Sequence, residues 1–345
     1  MPSSTSEFED ATKSGTMLLG GMADVVAPWA ARVAATLRLA DLLRDEAKPV
    51  AVLAAEAGAD QDALGRLLRF LACRGVFVEQ APGTFALNAA AEPLLDDHPM
   101  GLRVWLDLNG LAGRFDAVYS TGLLEAVRTG VDGYTSVYGR SFWEDLHVHG
   151  RVEEFDRMMS SDAGIWMSEV AAQYDWARVG RVTDVGGGNG ALLKELLGAH
   201  AGLRGTLVDL PGSMSGGQAT LASFPDRVSF SPGSFFDPLP EGSDVYVLAH
   251  VLHDWNDSDA RRILARCAEA AGPRGRVIVI DRTGAEEDDL LEFTEMDLKM
   301  MVLFGAKERT ADEFAALGRS EGLGLCSVKP LEAGLTMMEF APHGA

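Results

Sequence analysis

Cysteine is scarce in this chain: Cys73, Cys267 and Cys326 are the only three among 345 residues. They are odd in number, far apart and each set in an apolar periodic stretch, which argues against a disulfide framework or a zinc site. They read as core thiols in a reducing compartment. Positive charge is scarce too, with 30 Lys and Arg against 51 Asp and Glu and a formal net charge of −21. A protein that binds nucleic acid through its phosphates needs clustered cations, so a nucleic-acid partner is not expected. No uninterrupted run of about 18 apolar residues occurs, and Met1-Pro2-Ser3-Ser4-Thr5-Ser6-Glu7 lacks a basic stretch leading into an apolar one. The expectation is a soluble, cytoplasmic protein with no membrane partner.

What is present is an ordinary globular composition, 47% hydrophobic and 23% charged, over three segments of different texture. Residues 1–100 open on a polar arm reaching to about Thr16. Apolar residues then recur at helical spacing from Leu18 to Arg44, as in Val33, Leu37, Ala40 and Leu43. A helix follows Pro49, and a second, begun by Asp60, carries Leu64, Leu67, Leu68 and Leu71. Gly75–Glu79 and Thr84–Leu87 flank Ala81-Pro82-Gly83 as a hairpin. Helix, helix, hairpin is a winged-helix-like pattern, which serves either DNA binding or packing between subunits. Charge favours packing: residues 1–100 hold eight Lys and Arg against fourteen Asp and Glu.

Residues 101–175 read as helical and rich in aromatics and methionine, a texture of core or of a pocket for a flat ligand. From 176 to 345 short apolar runs alternate with helical ones, the pattern of a doubly wound parallel sheet. Two last extended stretches, near Gly324 and Leu335, have no helix between them and suit a closing antiparallel hairpin.

The first of these sheet strands runs into Asp184-Val185-Gly186-Gly187-Gly188-Asn189-Gly190, a glycine-rich turn that opens a helix. Such a turn sets bare backbone and a helix N-terminus beside a ligand. Asp209 closes the next strand, where a carboxylate accepts both ribose hydroxyls of an adenosine cofactor. Gly186-x-Gly188-x-x-Ala191 also satisfies a dinucleotide pattern, so these cues alone leave S-adenosylmethionine (SAM) and NAD open.

Further along stands Val251-Leu252-His253-Asp254-Trp255-Asn256-Asp257, then Gly305-Ala306-Lys307-Glu308-Arg309-Thr310. With Asp209-Leu210-Pro211, Gly233-Ser234-Phe235-Phe236-Asp237-Pro238, Ser141-Phe142-Trp143-Glu144 and the segment from Asp60 to Gly75, their order resembles the small-molecule O-methyltransferases. That family includes plant caffeate and flavonoid enzymes, and bacterial members acting on polyketide phenols and naphthoates look nearest. The resemblance covers nearly the whole chain. It implies a class I methyltransferase, an α/β fold with a Rossmann-like sheet. It also implies an N-terminal, mostly helical, winged-helix-like dimerisation domain that forms a homodimer.

The resemblance further implies SAM-dependent methylation of an aromatic hydroxyl, with S-adenosyl-L-homocysteine as product. His98, His147, His149, His200 and His343 show no metal-ligand spacing and no acidic cluster suits a catalytic magnesium, so no metal is expected. The resemblance makes His253 the general base, flanked by Glu308 and by Asp281, where relatives commonly carry glutamate. A phenol of pKa about 10 is mostly protonated at pH 7, so removing its proton recovers about 4 kcal/mol. Asp254 is expected to point away, toward the turn or the following helix. For the cofactor it implies Gly186 at the amino-acid end, Asp209 at the ribose, and Ser234 and Phe235 at the adenine, with Gly188 and Leu210 also cofactor-binding. His250 stands where bacterial relatives often carry arginine. Phe142, Trp143, Met159, Met296, Met300 and Phe304 match the family's pocket wall. Other readings are methylation of carbon or nitrogen, chemistry without methyl transfer, or an NAD-dependent oxidoreductase.

Overall fold

The computed structural model describes residues 18–160, 164–284 and 290–342. The N-terminal arm and His343 lie outside the described residues. The chain forms two compact units, Met1–Arg114 and Phe115–Ala345.

In the first unit the helical stretch is broken rather than continuous, with helices at Val26–Thr36 and Leu39–Leu42. Arg38 takes a left-handed φ of 55° between them, which no helix interior tolerates. The stretch Leu18–Thr36 has a mean hydropathy of 1.2 and is long and apolar enough for a membrane span by composition, although Asp24 and Arg32 interrupt it. Ala30, Ala34 and Ala35 of this stretch are buried within the unit.

Helix Val50–Ala57 follows, then Gln61–Cys73, whose start is capped by Asp60 accepting from the Ala63 N–H at 2.9 Å. Leu64, Leu68 and Leu71 fall on its buried face. Strands β1 (Lys48–Pro49), β2 (Val78–Ala81) and β3 (Thr84–Ala86) form a small sheet in the order β1-β3-β2. The hairpin was expected and β1 was not, since two residues carry no period.

The second unit carries helices Gly133–Tyr138, Phe142–Val148, Val152–Ser160 and Gly164–Gln173, after helix Leu111–Thr129, which runs across the division between the units. Its sheet is built from β4 (Arg181–Val185), β5 (Arg204–Asp209), β6 (Val228–Pro232), β7 (Val245–Ala249), β8 (Arg276–Arg282), β9 (Leu323–Pro330) and β10 (Leu335–Pro342). The order is β6-β5-β4-β7-β8-β10-β9. Strands β4 to β8 pair in parallel, and β10 joins β8 and β9 antiparallel.

Both faces of this sheet are covered, which is why its strands read as nearly continuous apolar runs. Val182, Val247, Ile278, Ile280 and Met337 bury on one side, and Val185, Tyr246, Leu248, Val277 and Val279 on the other. The order reverses at β4, with β5 on one side and β7 on the other. Ligands bind at the carboxyl ends of strands beside such a reversal. The ends of β4, β5, β7 and β8 therefore bring Gly186, Asp209, His250 and Asp281 to one edge.

Of the three cysteines only Cys267 is a core thiol; Cys73 and Cys326 are exposed. Apolar periodicity marks a helix or strand as amphipathic but does not keep each small residue on its inner face.

Candidate active site

The turn after β4 is held open by its glycines. Gly186, Gly188 and Gly190 have φ of 70°, 55° and 75°, a region that favours residues without a Cβ. The Gly186 and Gly187 N–H groups donate to the Val208 carbonyl at 2.8 and 3.4 Å, folding the turn over the end of β5. A Cβ on Gly186 would lie 3.0 Å from Val251 and 3.3 Å from the Phe235 ring.

Asp209 is fixed in this turn. Its two oxygens accept the backbone N–H groups of Gly188 at 2.8 Å and Leu210 at 2.6 Å, and each oxygen keeps a second lone pair for a ligand. The Ser234 hydroxyl accepts the Phe236 N–H at 3.2 Å, and Phe235 meets Trp255 edge-on at 5.7 Å. Bare backbone, an anchored carboxylate and an aromatic ring fit an adenosine-bearing cofactor. Beneath the turn Asp184 is buried, and burial together with the nearby Asp209 charge pushes its carboxyl up to about 7.

The reactive end begins where β7 stops. His250 takes a left-handed φ of 53°, its N–H donates to the Ile280 carbonyl at 2.9 Å, and a short helical turn follows over Leu252–Asp254. This turn puts His253 Nδ1 2.8 Å from Glu308 Oε1. Because Glu308 accepts there, Nδ1 carries the hydrogen and Nε2 is left as the imidazole's acceptor.

Asp254 does not point away, as expected, but sets its Oδ1 3.5 Å from His253 Nε2. The capping duty that would have drawn it off falls to Asn256, which accepts the Asp259 N–H at 3.1 Å. Asp281 is buried, and among the described residues neither of its carboxylate oxygens has a hydrogen-bond partner.

Three acids thus surround one imidazole. Burial alone would lower the His253 pKa, but Asp254, Glu308 and Asp281 together outweigh it and hold the group up at about 10. Burial pushes Asp281 up to about 8 and Asp254 up to about 6. His250 is driven the other way, to about 3, by burial and by the positive charges of His253 and Arg282. It is a neutral ring, seated between Trp166 at 5.2 Å and His253 at 5.6 Å. Donor atoms of His250, His253 and Asp281 lie within 4.8 Å of one another.

Aromatic rings gather beside the imidazole. Trp143 stacks on Phe304 at 5.5 Å and on Trp255 at 6.0 Å, two residues beyond His253. Phe142 meets Trp143 and Phe304 at 5.0 Å each. Met296, Met300 and Phe304 follow at helical spacing on helix Leu290–Phe304, and Met300 is buried. Met159 is 43% exposed.

Arg309, which stands in the polar Lys307–Thr310 run, is the least expected member. It is fully buried and donates to the carbonyls of Leu252 at 2.9 Å, Trp255 at 2.7 Å and Lys307 at 3.3 Å. It also donates to Asp257 at 2.8 and 3.0 Å. An arginine beside an acid in a polar run carries no period that marks it as buried.

A parallel sheet reversing at β4 and closed by an antiparallel hairpin, with a glycine-rich turn and an imidazole at one edge, matches the Rossmann-like SAM-methyltransferase class. The comparisons with known proteins narrow this. Residues 121–324 match the O-methyltransferase domain and residues 22–97 the O-methyltransferase dimerisation domain, and the chain belongs to this O-methyltransferase family. It is 43% identical to 2,7-dihydroxy-5-methyl-1-naphthoate 7-O-methyltransferase of Streptomyces carzinostaticus, over 91% of this chain and 94% of that one. It is 40% identical to aclacinomycin 10-hydroxylase of Streptomyces purpurascens, over 94% and 88%. It also superposes, at a TM-score of 0.86 and 42% identity, on the crystal structure of an O-methyltransferase from neocarzinostatin biosynthesis in complex with SAM and 2-hydroxy-5-methyl naphthoic acid. That match covers 93% of this chain and 98% of the other.

Proposed function

We propose that this protein is a SAM-dependent O-methyltransferase acting on an aromatic hydroxyl of a natural-product intermediate. The observation that carries the reading is the pairing of His253 with the buried Glu308 at the sheet edge that also bears the glycine turn and Asp209. SAM supplies an electrophilic methyl group on a sulfonium. Gly186, Gly188, Asp209, Leu210, Ser234, Phe235 and His250 are the residues proposed to hold it. Val251 and Phe235 press against Gly186, which supports bare backbone as the contact there.

His253 Nε2 takes the hydroxyl proton, and Glu308 orients the ring through Nδ1 and stabilises the imidazolium. Asp254 and Asp281 add to that stabilisation through space. A base raised to about 10 matches a phenol of pKa about 10, so the proton moves between them at little cost. The same shift keeps the free site protonated at neutral pH. The reactive pair holds one proton between imidazole and acceptor, so it becomes more populated as pH rises through neutrality.

Phe142, Trp143, Met300 and Phe304 form the apolar wall for a flat acceptor, with Met296 and Met159 proposed at its margin. Annihilating the charges of a phenolate and a sulfonium is not opposed by such a wall. The functional division proposed is 1–100 for dimerisation, 101–175 for the pocket wall and 176–345 for catalysis, in a homodimer working in the cytoplasm. The test is incubation with labelled SAM and a panel of hydroxynaphthoates and simpler phenols, after calorimetry with SAM alone. Label on oxygen is expected. Label on carbon or nitrogen would make the protein a C- or N-methyltransferase instead, and SAM binding with no transfer would move it toward the chemistry of its hydroxylase relative.

A further inference from the structure

The base and its orienting acid come from separate parts of the chain, 55 residues apart, and neither is held by the other alone. His253 lies in the short helical turn Leu252–Asp254, and Glu308 lies in the loop before helix Ala311–Ser320. We infer that Arg309 is a positioning residue that clamps these two segments together and so sets the His253–Glu308 contact.

The geometry of the guanidinium supports this. It donates to the carbonyl of Leu252, immediately before the base, and to those of Trp255 and Lys307, after the base and before Glu308. Two of its nitrogens also reach Asp257 Oδ1 at 2.8 and 3.0 Å. A planar fork with five N–H donors spans several acceptors in one fixed arrangement, which a lysine ammonium does not reproduce. Burial makes the arrangement stiff: Arg309 is 0% exposed, so a donor withdrawn from its acceptors is not readily replaced by water. Glu308 is also anchored by its N–H to Asp297 at 2.9 Å, a contact that fixes its backbone and not its carboxylate. Arg309 does not touch the reacting atoms, so its effect passes through His253.

This inference rests on His253 as the base, so its test includes a readout that needs no turnover. Arg309→Lys and the milder Asp257→Asn are compared with the native homodimer, counting active sites by SAM calorimetry. Measured at about pH 10.5, above the His253 pKa, kcat per SAM-binding site is expected to fall about 10–100-fold in Arg309→Lys, the scale of a misplaced catalytic group, and less in Asp257→Asn. SAM Kd should stay within about threefold. The His253 imidazole signal, followed by NMR titration in the free protein, should move toward lower pKa in both variants as Glu308 slackens.

Unchanged kcat per site with an unmoved His253 titration in both variants would overturn the clamp, even if the proteins were less stable. If Arg309→Lys fails to fold, Asp257→Asn decides alone on the same two readouts. An active His253→Ala enzyme would instead remove the base assignment, while the NMR titration would still judge the clamp.

Discussion

Replacing Glu308 by glutamine removes a charge while keeping an oxygen for the His253 Nδ1–H, so it isolates what the carboxylate does. The contact is 2.8 Å long and the acid is buried, where a hydrogen bond to a charged group contributes about 1.5–3 kcal/mol. At about 1.4 kcal/mol per pH unit, the His253 pKa should drop by about 1–2 units. The consequence for rate depends on pH. Above the native pKa the resting imidazole is neutral and only the transition state carries imidazolium, so the plateau of kcat/KM should fall about 10–150-fold. Below the variant's pKa both resting and reacting states are protonated, the lost stabilisation cancels, and the two enzymes should differ by only about a few fold. The assay is kcat/KM at saturating SAM from pH 6 to 10.5, with an NMR titration of the free protein to separate His253 from the acceptor's own ionisation. A loss that is the same at every pH, or an inflection that stays put or rises, would refute the reasoning.

Two further outcomes follow from the same cluster and its neighbour. Asp281 is buried without a partner and its folded pKa is raised above the unfolded value to about 8. Its contribution therefore favours the folded state least above that pKa, and Asp281→Asn should raise Tm more at pH 8.5 than at pH 6, by about 2–4 °C per kcal/mol recovered. A lower Tm at pH 8.5 by scanning calorimetry would contradict this. Asp209→Ala strands the N–H groups of Gly188 and Leu210 as well as removing an acceptor. SAM Kd by calorimetry should rise about tenfold or more, and an unchanged Kd would remove the ribose assignment.

The sheet was legible because its strands are buried on both faces, so runs such as Val245–Leu248 and Val277–Ile280 announce themselves without a partner. The cradle was legible for a similar reason, since closely spaced glycines at a strand end have few other uses. The glycines did not choose a cofactor, and Asp209 and His253 became informative only in combination. What stayed hidden depends on direction rather than composition. The inward turn of Asp254 follows from Asn256 taking the cap, and the exposure of Cys73 and Cys326 from which side of an amphipathic element they occupy. The burial of Arg309 follows from carbonyls that only the folded loop collects around it. A side chain whose partners are backbone atoms of distant segments leaves no pattern in its own neighbourhood.

The base assignment is tested most directly by measuring SAM affinity and single-turnover transfer of a labelled methyl group in one preparation of His253→Ala. The account predicts SAM Kd within about threefold of native and a transfer rate lower by about 10²–10⁴-fold, the range of general-base catalysis. Transfer within about tenfold of native would contradict it, and so would SAM affinity falling in step with the rate.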